Sequence, residues 1–144
     1  MSRLVVVHGP NFNLLGTREP EIYGHQTLAD LEALLRKKAS ELNCQLDFFQ
    51  SNSEGALLDY LHERSPGATG LVINPGAFAY SSYALYDCLL ALPTPAIEVH
   101  ISNIYTRAEE FRSRSLLAAA TVGVITGLGR RGYIYAMEYL IDRE

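Results

Sequence analysis

Tryptophan is absent from this chain, and cysteine occurs only twice. Cys44 and Cys88 stand alone, without a CxxC or any paired spacing, which excludes a disulfide scaffold and points to a reducing, cytoplasmic setting. Long apolar runs are missing too. The nearest to one, Leu116 to Leu128, is broken by Thr and Gly, so no segment reads as membrane-spanning. The apolar run at the N-terminus is too short to read as a signal peptide. A surplus of positive charge is lacking as well: the formal net charge of −4 argues against a nucleic-acid or anionic-membrane surface as partner. His8, His25, His62 and His100 show no HxxxH or comparable spacing, and Glu98 beside His100 supplies only two candidate ligands, so no metal site is expected. Internal repeats, low-complexity tracts and linkers are absent. With 144 residues, 48% of them apolar, the chain is expected to form one globular domain over 1–144.

What is present is an alternation of strand-like and helix-like segments. Val5–His8 is a short β-branched run stopped by Gly9-Pro10. The next eighteen or so residues have no helical or strand period, yet carry Asn11, Asn13, Arg18 and Tyr23. A loop of that length inside a compact domain is disordered or functional, and its Leu14, Leu15 and Ile22 argue for an ordered lid over a site. Helical spacing then runs over Thr27–Asn43, with Thr27 and Asp30 forming an N-terminal capping pattern. Further strands are expected at Leu46–Phe49, Gly70–Ile73, Ala96–Val99 and Val122–Ile125. Helices are expected at Glu54–Arg64, from Ser81 or Ser82 to Leu90, and through Tyr133 to Ile141.

Short apolar strands separated by helices predict an α/β fold whose parallel sheet is covered on both faces. The length fits a flavodoxin-like, doubly wound, five-stranded sheet of order 2-1-3-4-5 better than a barrel, which needs about 250 residues. In such a sheet ligands bind beyond the carboxyl ends of the strands. Asn11 follows the first strand, Asn74 ends the third, and Glu98, His100 and Ser102 straddle the end of the fourth. Turn and cap chemistry accounts for any one of these polar residues alone; as a set on one rim they point to a site.

Gly127-Leu128-Gly129-Arg130-Arg131-Gly132 matches GxGxxG, but the few residues after it leave no room for the second strand and acidic residue of a dinucleotide site. Its glycines are expected to let the last helix pack closely on the sheet. The Gly9–Gly16 loop lacks the spacing and the Lys of a P-loop. Acid–base chemistry remains. Glu98 and His100, two apart on a strand, share a face, and a carboxylate beside an imidazole fixes its tautomer and favours its charged form. Tyr23 is a candidate base if Arg18, on the same loop, favours its phenolate. One acid and one base on a rim suit a β-elimination or an isomerisation. A Tyr that anchors the loop and a His satisfied at a strand end account for the residues equally well.

From the first strand to the last helix the chain resembles the type II dehydroquinases. The resemblance rests on HGPNFNLLGTREPEIYG from His8, QSNSEG from Gln50, NPGA from Asn74, EVHISN from Glu98, EEFR from Glu109 and TGLGRRGY from Thr126. It implies a flavodoxin-like enzyme assembled as a homododecamer of trimers. It also implies a cofactor-free anti elimination of water from 3-dehydroquinate through an enolate, in the shikimate pathway. Tyr23 would match the base, Arg18 the group that favours its phenolate, and Asn11 the residue that positions a water at the enolate oxygen. His100 would match the general acid, oriented by Glu98. Asn74 and the backbone N–H groups of Ile101 and Ser102 would hold the substrate carboxylate, Arg112 would bind ring hydroxyls, and Asp87 would reach a neighbouring subunit's site.

Two departures stand out. Tyr80 occupies the place where the family usually has a substrate-contacting His, and the segment Arg107–Arg112 carries one residue more than usual. They leave room for a related lyase acting on another cyclic hydroxy acid, or for a non-catalytic paralogue that binds quinate-like ligands. A flavin- or nucleotide-binding module is disfavoured, because Pro10 and bulky apolar residues stand where a phosphate cradle wants Gly, Ser and Thr.

Overall fold

A computed structural model describes residues 1–17 and 19–143, and of Tyr23 the backbone alone. Five strands pair in parallel in the order β2-β1-β3-β4-β5: β1 (Ser2–His8), β2 (Cys44–Gln50), β3 (Gly70–Asn74), β4 (Ala96–His100) and β5 (Gly123–Thr126). This is the doubly wound order expected from the alternation of segments. Leu4, Val5, Val6 and Val7 are all at 0% exposure, which explains why β1 reads as a continuous apolar run: it is the second strand in from one edge and both its faces are covered.

The two covers are distinct. Leu4, Val6 and Val72 of the sheet pack against α2 (Leu28–Glu41) and α6 (Arg131–Asp142), through Leu31, Leu35, Tyr133, Met137 and Leu140. Val5, Val7, Leu71 and Ile73 pack on the other face against α3 (Glu54–Arg64) and α5 (Tyr83–Ala91), through Leu57, Leu61, Leu85 and Leu89. Strand alternation thus sends successive residues to opposite helix pairs.

Local signals set the helix starts. Thr27 Oγ1 accepts from the Asp30 N–H at 3.1 Å, and Asp30 Oδ2 accepts from the Thr27 N–H at 3.0 Å, a reciprocal cap on α2. Ser53 caps α3 and Ser82 caps α5 in the same one-sided way. Four strands run further than the apolar pattern indicates. β1 begins earlier, at Ser2, and polar Gln50, Asn74 and His100 still pair with their neighbours, because a buried backbone needs its ladder whatever side chain it carries. The loop after β1 is ordered as a 3-10 turn at Phe12–Leu14 and a single helical turn, α1 (Pro20–Tyr23); a further short helix, α4 (Phe78–Ser81), precedes α5. Segments so short carry no period to detect.

The junction of β1 and β3 is tight. The Gly9 N–H donates to the Asn74 carbonyl at 2.9 Å, and a Cβ at Gly9 would lie 2.0 Å from the Pro75 carbonyl oxygen. No side chain fits there without moving backbone. Gly9→Ala is therefore expected to destabilise the fold by at least ~3 kcal/mol, read from the denaturation midpoint against wild type; a loss within experimental error would refute the close approach.

Candidate active site

The carboxyl edge of the sheet carries a cleft lined by Pro10, Asn11, Phe12, Asn74, Gly76, Ala77, Tyr80, His100, Ile101, Ser102, Ile104, Arg107 and Arg112. Of the residues expected at a site, Asn11, Asn74, Tyr80, His100, Ile101, Ser102 and Arg112 are brought together here. Glu98 lies behind them, fully buried, with a hydrogen bond to His100 Nε2. Asp87 does not line the cleft; it is exposed on α5. Arg18 and the side chain of Tyr23 lie outside the described residues.

The Glu98 carboxylate is the feature around which the edge is built. At 0% exposure a lone carboxylate is costly, so both its oxygens are used. One bonds His100 Nε2, and Ser115 Oγ donates to the other at 2.9 Å. Ser115 is itself held because its Oγ accepts from the Leu117 N–H at 3.0 Å. The resulting chain, Ser115 to Glu98 to His100, fixes the imidazole plane and sets Nε2 on the carboxylate, leaving Nδ1 for chemistry at the cleft. Ser115 was not legible beforehand: it lies in an irregular stretch with no motif around it.

Asn11 is placed by backbone geometry. Its φ is 73°, a left-handed conformation that Asn tolerates better than other side-chain-bearing residues. Its N–H donates to Asn52 Oδ1 at 2.9 Å, and the same oxygen accepts from Gln50 Nε2 at 3.1 Å. The Gln50-Ser51-Asn52 turn after β2 thus braces the loop after β1.

The glycine-rich turn after β5 has a role in the site as well as in packing. A Cβ at Gly132 would touch Ile125 and Val99 at 3.2 Å each, so the glycine does let α6 approach the sheet. In addition, the Gly127 N–H donates to the His100 carbonyl at 3.2 Å and the Gly129 N–H to the Ile101 carbonyl at 3.0 Å. In a planar trans peptide the carbonyl and the following N–H point in opposite directions. Anchoring the carbonyls of 100 and 101 to this turn therefore aims the N–H groups of Ile101 and Ser102, two residues that line the cleft, away from it. Gly127, at φ 89°, sits against Asn103, where a Cβ would lie 2.9 Å from the Asn103 Cβ.

Cation and aromatic groups close the outer wall. The Arg112 guanidinium lies 4.9 Å from the Phe111 ring centroid, and its buried Nε lies 3.5 Å from the Glu109 carboxylate with no hydrogen-bond partner among the described residues. Tyr80 meets the same Phe111 ring edge-on at 5.8 Å. Arg107 approaches Ser102 Oγ at 3.4 Å and the Glu19 carboxylate at 3.7 Å, tying the segment after β4 to the loop before α1. Arg107 belongs to the segment with the extra residue, and its place in the cleft had no sequence signal. Among the described residues no group of three or more His, Cys, Asp or Glu is arranged to hold a metal ion.

A flavodoxin-like sheet with a carboxylate-bound imidazole, backbone N–H groups and arginines at its carboxyl edge is arranged for acid–base chemistry on a small molecule. The comparisons with known proteins agree. The sequence model of the family described as Dehydroquinase class II matches residues 2–141, and the chain belongs to that family. It is 48% identical over 142 residues to the 3-dehydroquinate dehydratase of Halothermothrix orenii, covering 99% of this chain and 95% of the relative. It is 46% identical over 144 residues to that of Bacillus subtilis, covering 100% and 97%. The type II dehydroquinase structure from Propionibacterium acnes superposes with a TM-score of 0.93 at 41% identity, over 98% of this chain and 97% of the other. A 3-dehydroquinate dehydratase-like protein from Bifidobacterium longum is more distant, at TM-score 0.73 and 28% identity.

At the floor of this edge lies His8, at 0% exposure, where burial holds its imidazole down at about 3, against an ordinary 6.5. Below pH 6.5 the unfolded chain takes up a proton here that the folded chain refuses, so stability falls with pH across the window from 6.5 to 3. Denaturation at pH 7, 5.5 and 4.5 is expected to show a His8 contribution of about 1.4 kcal/mol per pH unit, absent from His8→Gln. Parallel curves for the two proteins would contradict it.

Proposed function

We propose that this chain is a 3-dehydroquinate dehydratase, a hydro-lyase of the shikimate pathway. It removes water from 3-dehydroquinate by anti elimination to give 3-dehydroshikimate. The Ser115–Glu98–His100 chain opening onto the cleft carries the reading: it supplies an oriented acid at a site that shares its residues with the family motifs. In the mechanism the Tyr23 phenolate takes the C2 proton, and the electron pair passes into the C3 carbonyl as an enolate. Arg18 favours the phenolate and Asn11 places a water against the enolate oxygen. The enolate then re-forms the ketone and expels the C1 hydroxyl, which leaves as water with a proton from His100. Asn74 and the N–H groups of Ile101 and Ser102 hold the substrate carboxylate, and Tyr80 and Arg112 contact ring hydroxyls. Fixed dipoles in a closed cleft stabilise the enolate more than water would.

No cofactor is needed in this scheme. The chain acts as a single catalytic domain over 1–144 and assembles as a homododecamer of trimers; the exposure of Asp87 on α5 supports its reaching a neighbouring subunit's site. A cytoplasmic location is supported by Cys44 and Cys88, both unpaired and buried. No helix among the described residues is long and apolar enough to cross a membrane.

Incubation with 3-dehydroquinate is expected to give rising ultraviolet absorbance from the conjugated enone, insensitive to borohydride. Tyr23→Phe and His100→Ala are each expected to lower kcat by at least ~10²-fold with the fold intact. Tyr80→His tests the one substrate contact that departs from the family: a higher kcat/KM marks Tyr80 as a poorer contact for this substrate. No turnover by the folded wild-type protein would overturn the assignment and favour a different cyclic hydroxy acid.

A further inference from the structure

Three residues outside the acid–base set form a buried chain behind the cleft wall. His8 ends β1 and Asn74 ends β3, and the two are register partners. Tyr133, in the first turn of α6, places its hydroxyl between them, 2.9 Å from His8 Nε2 and 2.8 Å from Asn74 Nδ2. His8 and Tyr133 are at 0% exposure and Asn74 at 2%, so their polar atoms depend on one another.

The donor inventory orients this chain. The Gly76 N–H lies 3.3 Å from Asn74 Oδ1 and can only donate, so the carboxamide oxygen faces Gly76 and its nitrogen faces Tyr133. The Tyr133 oxygen accepts from Asn74 and turns its own hydrogen to the remaining neighbour, His8 Nε2. That nitrogen is therefore a bare acceptor, and the ring proton sits on Nδ1. His8 Nδ1 is buried with no hydrogen-bond partner among the described residues, in a ring flanked by Phe12, Phe48 and Tyr133 at centroid distances of 5.2, 5.0 and 5.3 Å. An apolar side chain would avoid the unpaired Nδ1 but would leave the buried Tyr133 hydroxyl without its acceptor. The acceptor is what the imidazole adds.

We propose that His8 is a positioning residue for the cleft: through Tyr133 it reinforces the polarity that the long 3.3 Å bond from the Gly76 N–H gives the Asn74 carboxamide, so that the second Nδ2 hydrogen is presented to an anionic group of the substrate. With Oδ1 engaged by Gly76 and one Nδ2 hydrogen by Tyr133, that second hydrogen is the donor the amide has left. Without the acceptor at position 8, the Tyr133 hydroxyl is released to donate toward Asn74. The amide can then invert and turn its oxygen to the anion. Burial, which keeps His8 neutral down to about pH 3, keeps the acceptor in place above that pH. The inference rests on the reading of Asn74 as a carboxylate contact.

Magic-angle-spinning NMR of the wild-type protein labelled with 15N-histidine reads the tautomer without reference to turnover; the signal lost in His8→Gln assigns it. A pyrrole-type Nδ1 and a pyridine-type Nε2 are expected, and a protonated Nε2 overturns the proposal. In steady state with 3-dehydroquinate, His8→Leu is expected to raise KM about tenfold with kcat held within about threefold. His8→Gln, whose Oε1 can accept from Tyr133, is expected to return KM to within about twofold of wild type. Tyr133→Phe, which removes the acceptor that holds Asn74 Nδ2, is expected to raise KM as well, which keeps the test open if the leucine variant fails to fold. Equal losses in the Gln and Leu variants, or losses confined to kcat, contradict the proposal. A wild-type protein that turns over no 3-dehydroquinate overturns the function proposed above, while the tautomer still decides the relay.

Discussion

The burial of one carboxylate organises the carboxyl edge of this sheet. Glu98 sits at 0% exposure on β4, between β3 and β5, where a charge without partners is strongly destabilising. Its two oxygens are met by His100 and by Ser115, and each partner is fixed in consequence. The segment after β4 must fold back to bring Ser115 under the strand, and that return carries Arg107 and Arg112 across the mouth of the cleft. An electrostatic requirement in the core thus shapes the wall that faces substrate.

Strand alternation does the rest. Ile73 pairs with Glu98 in register, and His8 with Asn74 one step further along, so the two polar sets project to opposite faces of the sheet. Glu98 belongs with α3 and α5, whereas Asn74 is backed by Tyr133 of α6. The cleft lies where both sets reach the edge. Neighbouring backbone completes it: the turn after β5 grips the carbonyls of His100 and Ile101, so the same strand end carries the carboxylate-bound imidazole and two N–H groups turned away from that turn. A motif that resembles a nucleotide-binding fingerprint serves here to orient peptide groups.

Much of this was legible in the residues, for identifiable reasons. β-Branched runs such as Leu4–Val7 and leucines at helical spacing from Leu28 reflect burial, which periodicity reports directly. Asn11, Asn74 and His100 stand out as a set, because three strand ends deliver polar residues to one rim, although turn and cap chemistry accounts for any one of them alone. Ser115 and Arg107 were hidden, since irregular backbone brings them in and a single Ser or Arg carries no signature. Tyr133 and His8 read as a core helix position and a strand end; their hydrogen bonds join residues 125 apart in sequence, a separation no local pattern spans. The short turns at Phe12–Leu14 and Pro20–Tyr23 lacked the length to show a period.

If Glu98 works by orienting His100, the two residues act as one unit in proton transfer. A double-mutant cycle on kcat with Glu98→Gln, His100→Ala and both together tests this directly. The account predicts that Glu98→Gln lowers kcat on its own yet costs less than about twofold once His100 is gone. Losses that multiply independently in the double variant would contradict it, and would assign Glu98 a part in catalysis separate from the imidazole.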